Sequence, residues 1–264
     1  MTLLQSILLG ALQGITEFLP VSSSGHLVIM KNILNLEEVP VLFDVFLHAA
    51  TLIVVCLVFR KRIGGLFKAL FHFLQGKKGE EDKESLRLIL IILLATVITA
   101  VIGFAVSSLG VEQYPRIVSG LFLVTGVILL WARNAKGKTG YRELKIRHAL
   151  ITGAAQGFGV FPGISRSGIT ISAAVLSGLS REKAGEYSFI LSLPAIAGAL
   201  ILELKDLDTL SSLVSVPVVF AGALSAFAVG LVSLLLLLRM VRRGRLFLFS
   251  FYLIPLGLFG LVYF

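Results

Sequence analysis

Gly10-Ala11-Leu12-Gln13-Gly14-Ile15-Thr16-Glu17-Phe18-Leu19-Pro20-Val21-Ser22-Ser23-Ser24-Gly25 decides the reading of the fold, because it comes back later in the chain. At a constant offset of 143, Gly153-Ala154-Ala155-Gln156-Gly157, Phe161 and Ser165-Arg166-Ser167-Gly168 repeat its Gly10 to Gly14, Phe18 and Ser22 to Gly25 without a gap, and Phe46 carries onto Phe189. Each copy is an apolar segment that runs into Pro, Gly and Ser before a second apolar segment. As a helix, Leu3 to Phe18 is about 24 Å long at about 1.5 Å per residue, short of a hydrocarbon core of about 30 Å. Leu27 to Leu36 covers about half the core. Ala149 to Phe161 and Ser167 to Leu179 flank Pro162-Gly163-Ile164-Ser165-Arg166 in the same way. Both units read as re-entrant helical hairpins.

What surrounds the hairpins is lipid-soluble. Of the 264 residues 56% are hydrophobic and 15% charged, with a mean hydropathy of +0.95. That excludes an ordinary soluble domain and marks a polytopic membrane protein. Six apolar runs qualify as spans: Val39 to Phe59, Leu86 to Val106, Ile117 to Trp131, Tyr187 to Leu204, Leu213 to Leu238 and Leu246 to Phe264. The connections alternate in charge. Arg60 to Ser85 holds seven Lys and Arg, Arg133 to His148 six and Arg239 to Arg245 four, whereas Ser107 to Pro115 has none and Lys205 to Ser211 only Lys205. Retention of Lys and Arg puts the three basic connections in the cytoplasm and both termini outside. It also accounts for the net charge of +9 without nucleic acid as a partner. The N-terminus lacks the basic start of a signal peptide and reads as part of the fold. Cys56 is the single cysteine, so no intrachain disulfide forms.

Three spans separate the copies, so the first hairpin enters from outside and the second from the cytoplasm. The sequence therefore predicts an all-α integral membrane domain over residues 1–264, with six transmembrane helices and two re-entrant hairpins in an inverted-topology repeat (about 1–132 and about 149–264). Such repeats bring broken helices and a binding site to the midplane.

Glu17, His26 and Arg166 are ionisable groups at membrane depth, where each costs several kcal/mol unless paired or hydrated, so they are functional candidates. Gln13 and Glu17 share one helix face and converge on one ligand or cation, or else satisfy a helix interface. Ser22, Ser23 and Ser24, followed by Gly25, open the second arm, where free N–H groups and the helix dipole favour an anion; the same serines also cap helices. Ser165, Arg166 and Ser167, with Gly168 and with Thr170 on the Arg166 face, form the matching loop. A guanidinium among hydroxyls suits the oxygens of a phosphate. Its competing role is a structural bridge to Glu17. The ensemble points to a phosphate-containing ligand and to hydrolysis or transport. Asp44 and His48, four apart in the first span, form a supporting layer around the site or serve the fold. His72 and His148 fall in basic segments, Glu186 and Glu203 flank a span, and Ile63 to Leu74 reads as a membrane-surface helix.

Gln13-x-x-x-Glu17, Pro20-Val21-Ser22-Ser23-Ser24-Gly25-His26 and Pro162-Gly163-Ile164-Ser165-Arg166-Ser167-Gly168-Ile169-Thr170 resemble the two signature motifs of the undecaprenyl-diphosphate phosphatases, or bacitracin-resistance proteins. The resemblance extends over nearly the whole chain, including Phe43-Asp44 and Phe189 to Pro194. It implies hydrolysis of a C55 polyprenyl diphosphate to the monophosphate, the lipid carrier of peptidoglycan synthesis, at a plasma-membrane site open to the extracytoplasmic face. It implies a catalytic set of Glu17, His26, Ser23 and Arg166, with Gln13, Ser22, Ser24, Gly25, Ser165, Ser167, Gly168 and Thr170 around the substrate. It also implies Mg²⁺ or another divalent cation at Glu17 and Gln13. The first motif position is Glu or Gln in the family; Gln13 here puts metal affinity in doubt. Water, Ser23 and His26 all stand as possible nucleophiles. The alternative function is a transporter or flippase of a polyprenyl-phosphate lipid. Oligomeric state is left open.

Overall fold

The structure is a computed structural model that describes residues 1–36, 41–77, 79–203 and 214–264. It is all-helical, with no β-strand among the described residues. Helix α1 (Leu3–Phe18) starts from a capping box, the Thr2 hydroxyl accepting from Gln5 N and the Gln5 side chain from Thr2 N. It stops at Leu19, whose extended backbone is what a residue before proline prefers. Helix α2 (Ser23–Ile33) and its repeat mate α8 (Arg166–Leu176) are both 11 residues long and begin 143 apart. The cap serines Ser22 and Ser165 accept the N–H groups of Gly25 and Gly168 at 3.3 and 3.1 Å. These caps start α2 four residues before the apolar run at Leu27 and α8 one residue before Ser167.

Among the described residues five helical stretches are long and apolar enough to cross a membrane: α5 (Lys83–Ser107), α6 (Pro115–Trp131, continued by a turn to Asn134), α9 (Arg181–Glu203), α10 (Val216–Arg242), and α11 (Ser250–Tyr263) with the turn Leu246–Phe249 before it. Helix α3 (Val41–Val58) bends by 79° into α4 (Arg60–Leu74), and counting this bent pair as one span brings the number to six. The bend falls where apolar sequence gives way to Arg60-Lys61-Arg62. Beyond it, α4 exposes Phe67, Phe71, Phe73 and Leu74 beside its cations, the pattern of a helix lying in a membrane surface. The expected span limits Val39, Leu204 and Leu213 and the connection Lys205 to Ser211 lie outside the described residues.

Helix α1 packs on α10, and α7 (Ile146–Phe158) packs on α5, each through repeat-related glycines. A Cβ on Gly10 would stand 2.1 Å from the Gly222 carbonyl oxygen, and one on Gly14 2.7 Å from that of Ala226. Their mates Gly153 and Gly157 would meet the Ala95 oxygen at 2.7 Å and Ile102 Cβ at 2.6 Å. Backbones this close leave room for no side chain. The interhelix loops meet reciprocally: a Cβ on Gly25 would lie 2.7 Å from Gly163 N, and one on Gly168 3.1 Å from Pro20 Cβ, where 20 and 163, like 25 and 168, are repeat mates. Gly163 N–H donates to Ser22 Oγ at 2.9 Å and Ser167 Oγ to the Phe18 carbonyl at 3.1 Å, which ties the two loops together.

The basic connections gather at one end. Arg62 pairs with Glu84 at 3.2 Å and Glu186 at 3.3 Å, and Arg142 reaches Glu84 at 3.5 Å. Arg62 and Lys183 lie 4.7 and 4.8 Å from the Tyr141 ring centroid. Burial, reinforced by the Glu186 carboxylate, pushes the Tyr141 hydroxyl well above its ordinary pKa, so it stays a neutral anchor. Arg181 donates to the carbonyls of Arg133 and Ala135 at 3.1 Å. At the same end, Lys138 and Thr139 N–H groups donate to the Gly178 carbonyl just beyond α8, both at 3.0 Å. The start of α1 belongs with the start of α10, where Ser6 Oγ donates to the Val218 carbonyl at 2.6 Å. The end of α2 belongs with the start of α3, where Lys31 pairs with Asp44 at 2.8 Å.

Candidate active site

Between the two loops lies a cavity of about 200 Å³. One wall is polar and comes from both repeats: Thr16 and Glu17 of α1, the serines 22–24, and Ser165 and Arg166 at the start of α8. The other is largely apolar, built by Val45 of α3, Val160 and Ile164 near the second loop, and Ala195, Ile196 and Ala199 of α9. A charged group and a hydrocarbon are thereby offered adjoining surfaces.

Glu17 is the hub. Its side chain is 3% exposed, and Arg166, Ser23 and Gln13 all donate to it. Arg166 Nη2 bonds Oε1, while Ser23 Oγ donates to Oε2 at 2.6 Å and Gln13 Nε2 to Oε2 at 3.0 Å. His48 Nδ1 stands 3.0 Å from Oε2 and 2.7 Å from Gln13 Nε2. Arg166 spends one arm on Glu17; its Nη1 is buried and has no hydrogen-bond partner among the described residues. An unmet guanidinium N–H beside a cavity rimmed by hydroxyls is a strong donor for an anionic oxygen.

Residues 6–259 match the family described as bacitracin resistance protein BacA. The chain belongs to the BacA family. Among its relatives, the undecaprenyl-diphosphatase of Treponema denticola is 48% identical over 264 residues, covering 100% of this chain and 98% of that protein. Those of Borrelia hermsii (40% identical) and Korarchaeum cryptofilum (42%) cover 99% and 98% of this chain and 98% of their own lengths.

In this BacA-family chain the motif residues divide between the cavity and its supports. Glu17, Ser22, Ser23, Ser24, Ser165 and Arg166 line the cavity. Gln13 lies behind Glu17 and is fully buried. Ser22 and Ser165 are spent on backbone N–H groups, and Gly25 and Gly168 are where the loops touch. Ser167 reaches across to Phe18, and Thr170 is fully buried, bonded to the Arg166 carbonyl at 2.7 Å and to Ser188. His26 is not in the cavity wall; Phe122 and Tyr252 enclose its ring. Of the supporting pair, His48 enters the cavity, whereas Asp44 turns to Lys31. Gln156 and Thr99 also line it, joined by a bond of 3.3 Å, and the Gln156 Oε1 is buried without a partner. Sequence reasoning did not single these two out, although Gln156 is the repeat mate of Gln13.

The donor set bears on a metal as well. A hard divalent cation takes six or more oxygens. Around Glu17 stand a guanidinium, a hydroxyl, an amide nitrogen and an imidazole, and among the described residues no three His, Cys, Asp or Glu side chains gather to hold an ion. Gln13 turns its amide nitrogen, not its oxygen, to the carboxylate. The arrangement fits an anion and does not fit a cation resident on Glu17 and Gln13.

Proposed function

We propose that this chain hydrolyses the terminal phosphate of undecaprenyl diphosphate, releasing orthophosphate and the monophosphate lipid. The observation that carries this reading is Arg166, which lines the cavity together with Ser23, holds Glu17 with Nη2 and leaves Nη1 buried and, among the described residues, unpaired. The name shared by full-length relatives at up to 48% identity supports hydrolysis over the transporter alternative.

Phosphoryl transfer is catalysed chiefly by positioning and by charge neutralisation. Arg166 Nη1, with the hydroxyls and loop N–H groups about it, takes the oxygens of the transferring phosphoryl group. Ser23 Oγ attacks the terminal phosphorus and gives its proton to Glu17 Oε2, 2.6 Å away, so that the phosphoryl group passes to Ser23 and the monophosphate lipid leaves; water then cleaves the Ser23 O–P bond to orthophosphate, and Glu17 returns the proton to the departing Oγ. Arg166 on the other carboxylate oxygen fixes the direction of that acceptor. The leaving group is a phosphate monoester, a stable anion that departs without a proton, so no general acid is required opposite Ser23. The apolar wall of Val45, Ala195, Ile196 and Ala199 receives the first prenyl units.

We read α1–α2 and α7–α8 as re-entrant hairpins of an inverted-topology repeat. Support comes from the reciprocal loop contacts and from the hairpin ends, one pair beside the basic connections and the other beside the starts of α3 and α10. The site then opens outside the plasma membrane. Val45 and His48 come from the start of α3, whose other end, Val58, adjoins Arg60; Thr99 and Ala195 to Ala199 come from the far halves of α5 and α9, which begin at Lys83 and Arg181. All are remote from the basic end that the cytoplasm retains. Detergent-purified protein given a long polyprenyl diphosphate should release orthophosphate, and Glu17→Ala or Arg166→Ala should nearly abolish the release.

A further inference from the structure

His26 is the motif residue that the cavity leaves out. Its ring lies 5.0 Å from that of Phe122 and stacks on Tyr252 of α11, with centroids 5.8 Å apart and planes at 17°. Nδ1 stands 2.7 Å from the Ser22 carbonyl oxygen and Nε2 2.8 Å from the Tyr252 hydroxyl. A carbonyl only accepts, so Nδ1 carries a hydrogen; in the neutral ring Nε2 then accepts from the Tyr252 hydroxyl. Both nitrogens are spent, and neither is among the groups around Glu17.

What the ring holds is Ser22. That residue is not glycine yet has φ +69°, in the left-handed region that side chains disfavour, so its surroundings must enforce the conformation. Its hydroxyl accepts from Gly25 N and Gly163 N at 3.3 and 2.9 Å, and its carbonyl accepts from His26 N at 3.2 Å as well as from Nδ1. The very next residue is Ser23, whose Oγ meets Glu17 at 2.6 Å. A rotation of the Ser22 peptide swings Ser23 away from both Glu17 and the cavity.

We infer that His26 is a positioning residue for Ser23 and transfers no proton, and that Tyr252, 226 residues away in the chain, belongs to the same device by fixing the imidazole. Tyr252 Oη holds Nε2, Nδ1 holds the Ser22 carbonyl, and the strained Ser22 aims Ser23. The inference rests on the phosphatase reading for its kinetic consequence and on geometry alone for the tautomer.

Side-chain mimicry separates positioning from acid–base chemistry. An asparagine amide nitrogen is as many bonds from Cβ as Nδ1, and a glutamine amide nitrogen as many as Nε2. His26→Asn therefore restores a donor to the Ser22 carbonyl, and His26→Gln does not. Expected kcat/KM losses in phosphate release are under about tenfold for His26→Asn and over about thirtyfold for His26→Gln and His26→Ala, with most of the loss in kcat, since Ser23 reacts but does not bind the prenyl chain. Tyr252→Phe costs about threefold to tenfold alone and nothing further on His26→Ala, because both act through one bond chain. If His26→Asn folds as the wild type does and is as inactive as His26→Ala, the positioning role is wrong. Nitrogen NMR of histidine-labelled wild type is the second measurement, independent of turnover and of any variant's folding. A proton on Nδ1 and none on Nε2, perturbed by Tyr252→Phe, is the expected result; a proton on Nε2 alone overturns the inference. A wild type that releases no phosphate defeats the phosphatase reading instead and leaves the NMR result to decide the tautomer.

Discussion

Replacing Arg166 with lysine keeps the positive charge and removes the fork. In the protein one arm of the guanidinium is committed to Glu17 and the other, Nη1, is buried with no partner. An ammonium is a single point on a shorter reach and cannot hold a carboxylate and a phosphate in two fixed directions. The variant gives up one hydrogen bond between charged groups, about 1.5–3 kcal/mol. At about 1.4 kcal/mol per factor of ten, that predicts a loss of about 10- to 150-fold in kcat/KM. Arg166→Ala goes further, because it strands the Glu17 carboxylate, only 3% exposed, without its cation. Removing one partner of a buried pair costs about 3–5 kcal/mol, so this variant should also melt earlier. The assay is orthophosphate release by purified protein in detergent with a long polyprenyl diphosphate, alongside a thermal melt of each variant. Arg166→Lys within about threefold of wild type would refute the reasoning, since Nη1 would then not be the arm that meets the phosphate.

Ser23→Ala, which removes the hydroxyl on Glu17, should lose at least about a hundredfold in kcat, whereas Ser24→Ala, whose hydroxyl makes only a 3.5 Å contact, should lose less than about threefold in the same assay. Gly10→Ala and Gly153→Ala force a Cβ to 2.1 and 2.7 Å from backbone oxygens of α10 and α5. Each should lower stability by about 1–3 kcal/mol in a detergent melt, while Gly64→Ala, with nothing within 4 Å of its Cβ, should not lower it. Protein without substrate should bind no Mn²⁺ tightly, read by the electron paramagnetic resonance of the free ion. Tight binding abolished by Glu17→Gln would show that the donors around Glu17 had been misjudged.

The pairing of α1 with α2 and of α7 with α8 about two matching loops was legible because the sequence repeat is gap-free: one offset relates the close-packed glycines, the cap serines and the meeting loops. Helix starts were less so. Apolar runs locate what lipid can bury, but α2 begins at the cap Ser22, whose role shows only as a hydroxyl waiting for Gly25 N. The core of the site, Glu17, Ser23 and Arg166, stood out as ionisable or reactive groups in apolar surroundings. His48 and Asp44 were equal by spacing, and only the rotation of α3 sends His48 to Glu17 and Asp44 to Lys31. His26, three residues past Ser23 on the same helix, reads from sequence as a member of the site; the ring instead turns back to the Ser22 carbonyl, with Tyr252 from the far end of the chain on its other nitrogen. No local pattern announces a partner 226 residues away.

The central claim is that Arg166 and Ser23 of this cavity cleave a diphosphate carried on a prenyl chain. The most direct measurement is phosphate release from undecaprenyl diphosphate in proteoliposomes, with the lipid products separated and counted. The account predicts one orthophosphate for each undecaprenyl monophosphate formed, from wild type and not from Arg166→Ala or Ser23→Ala. Undecaprenyl diphosphate left intact by the wild type would contradict it.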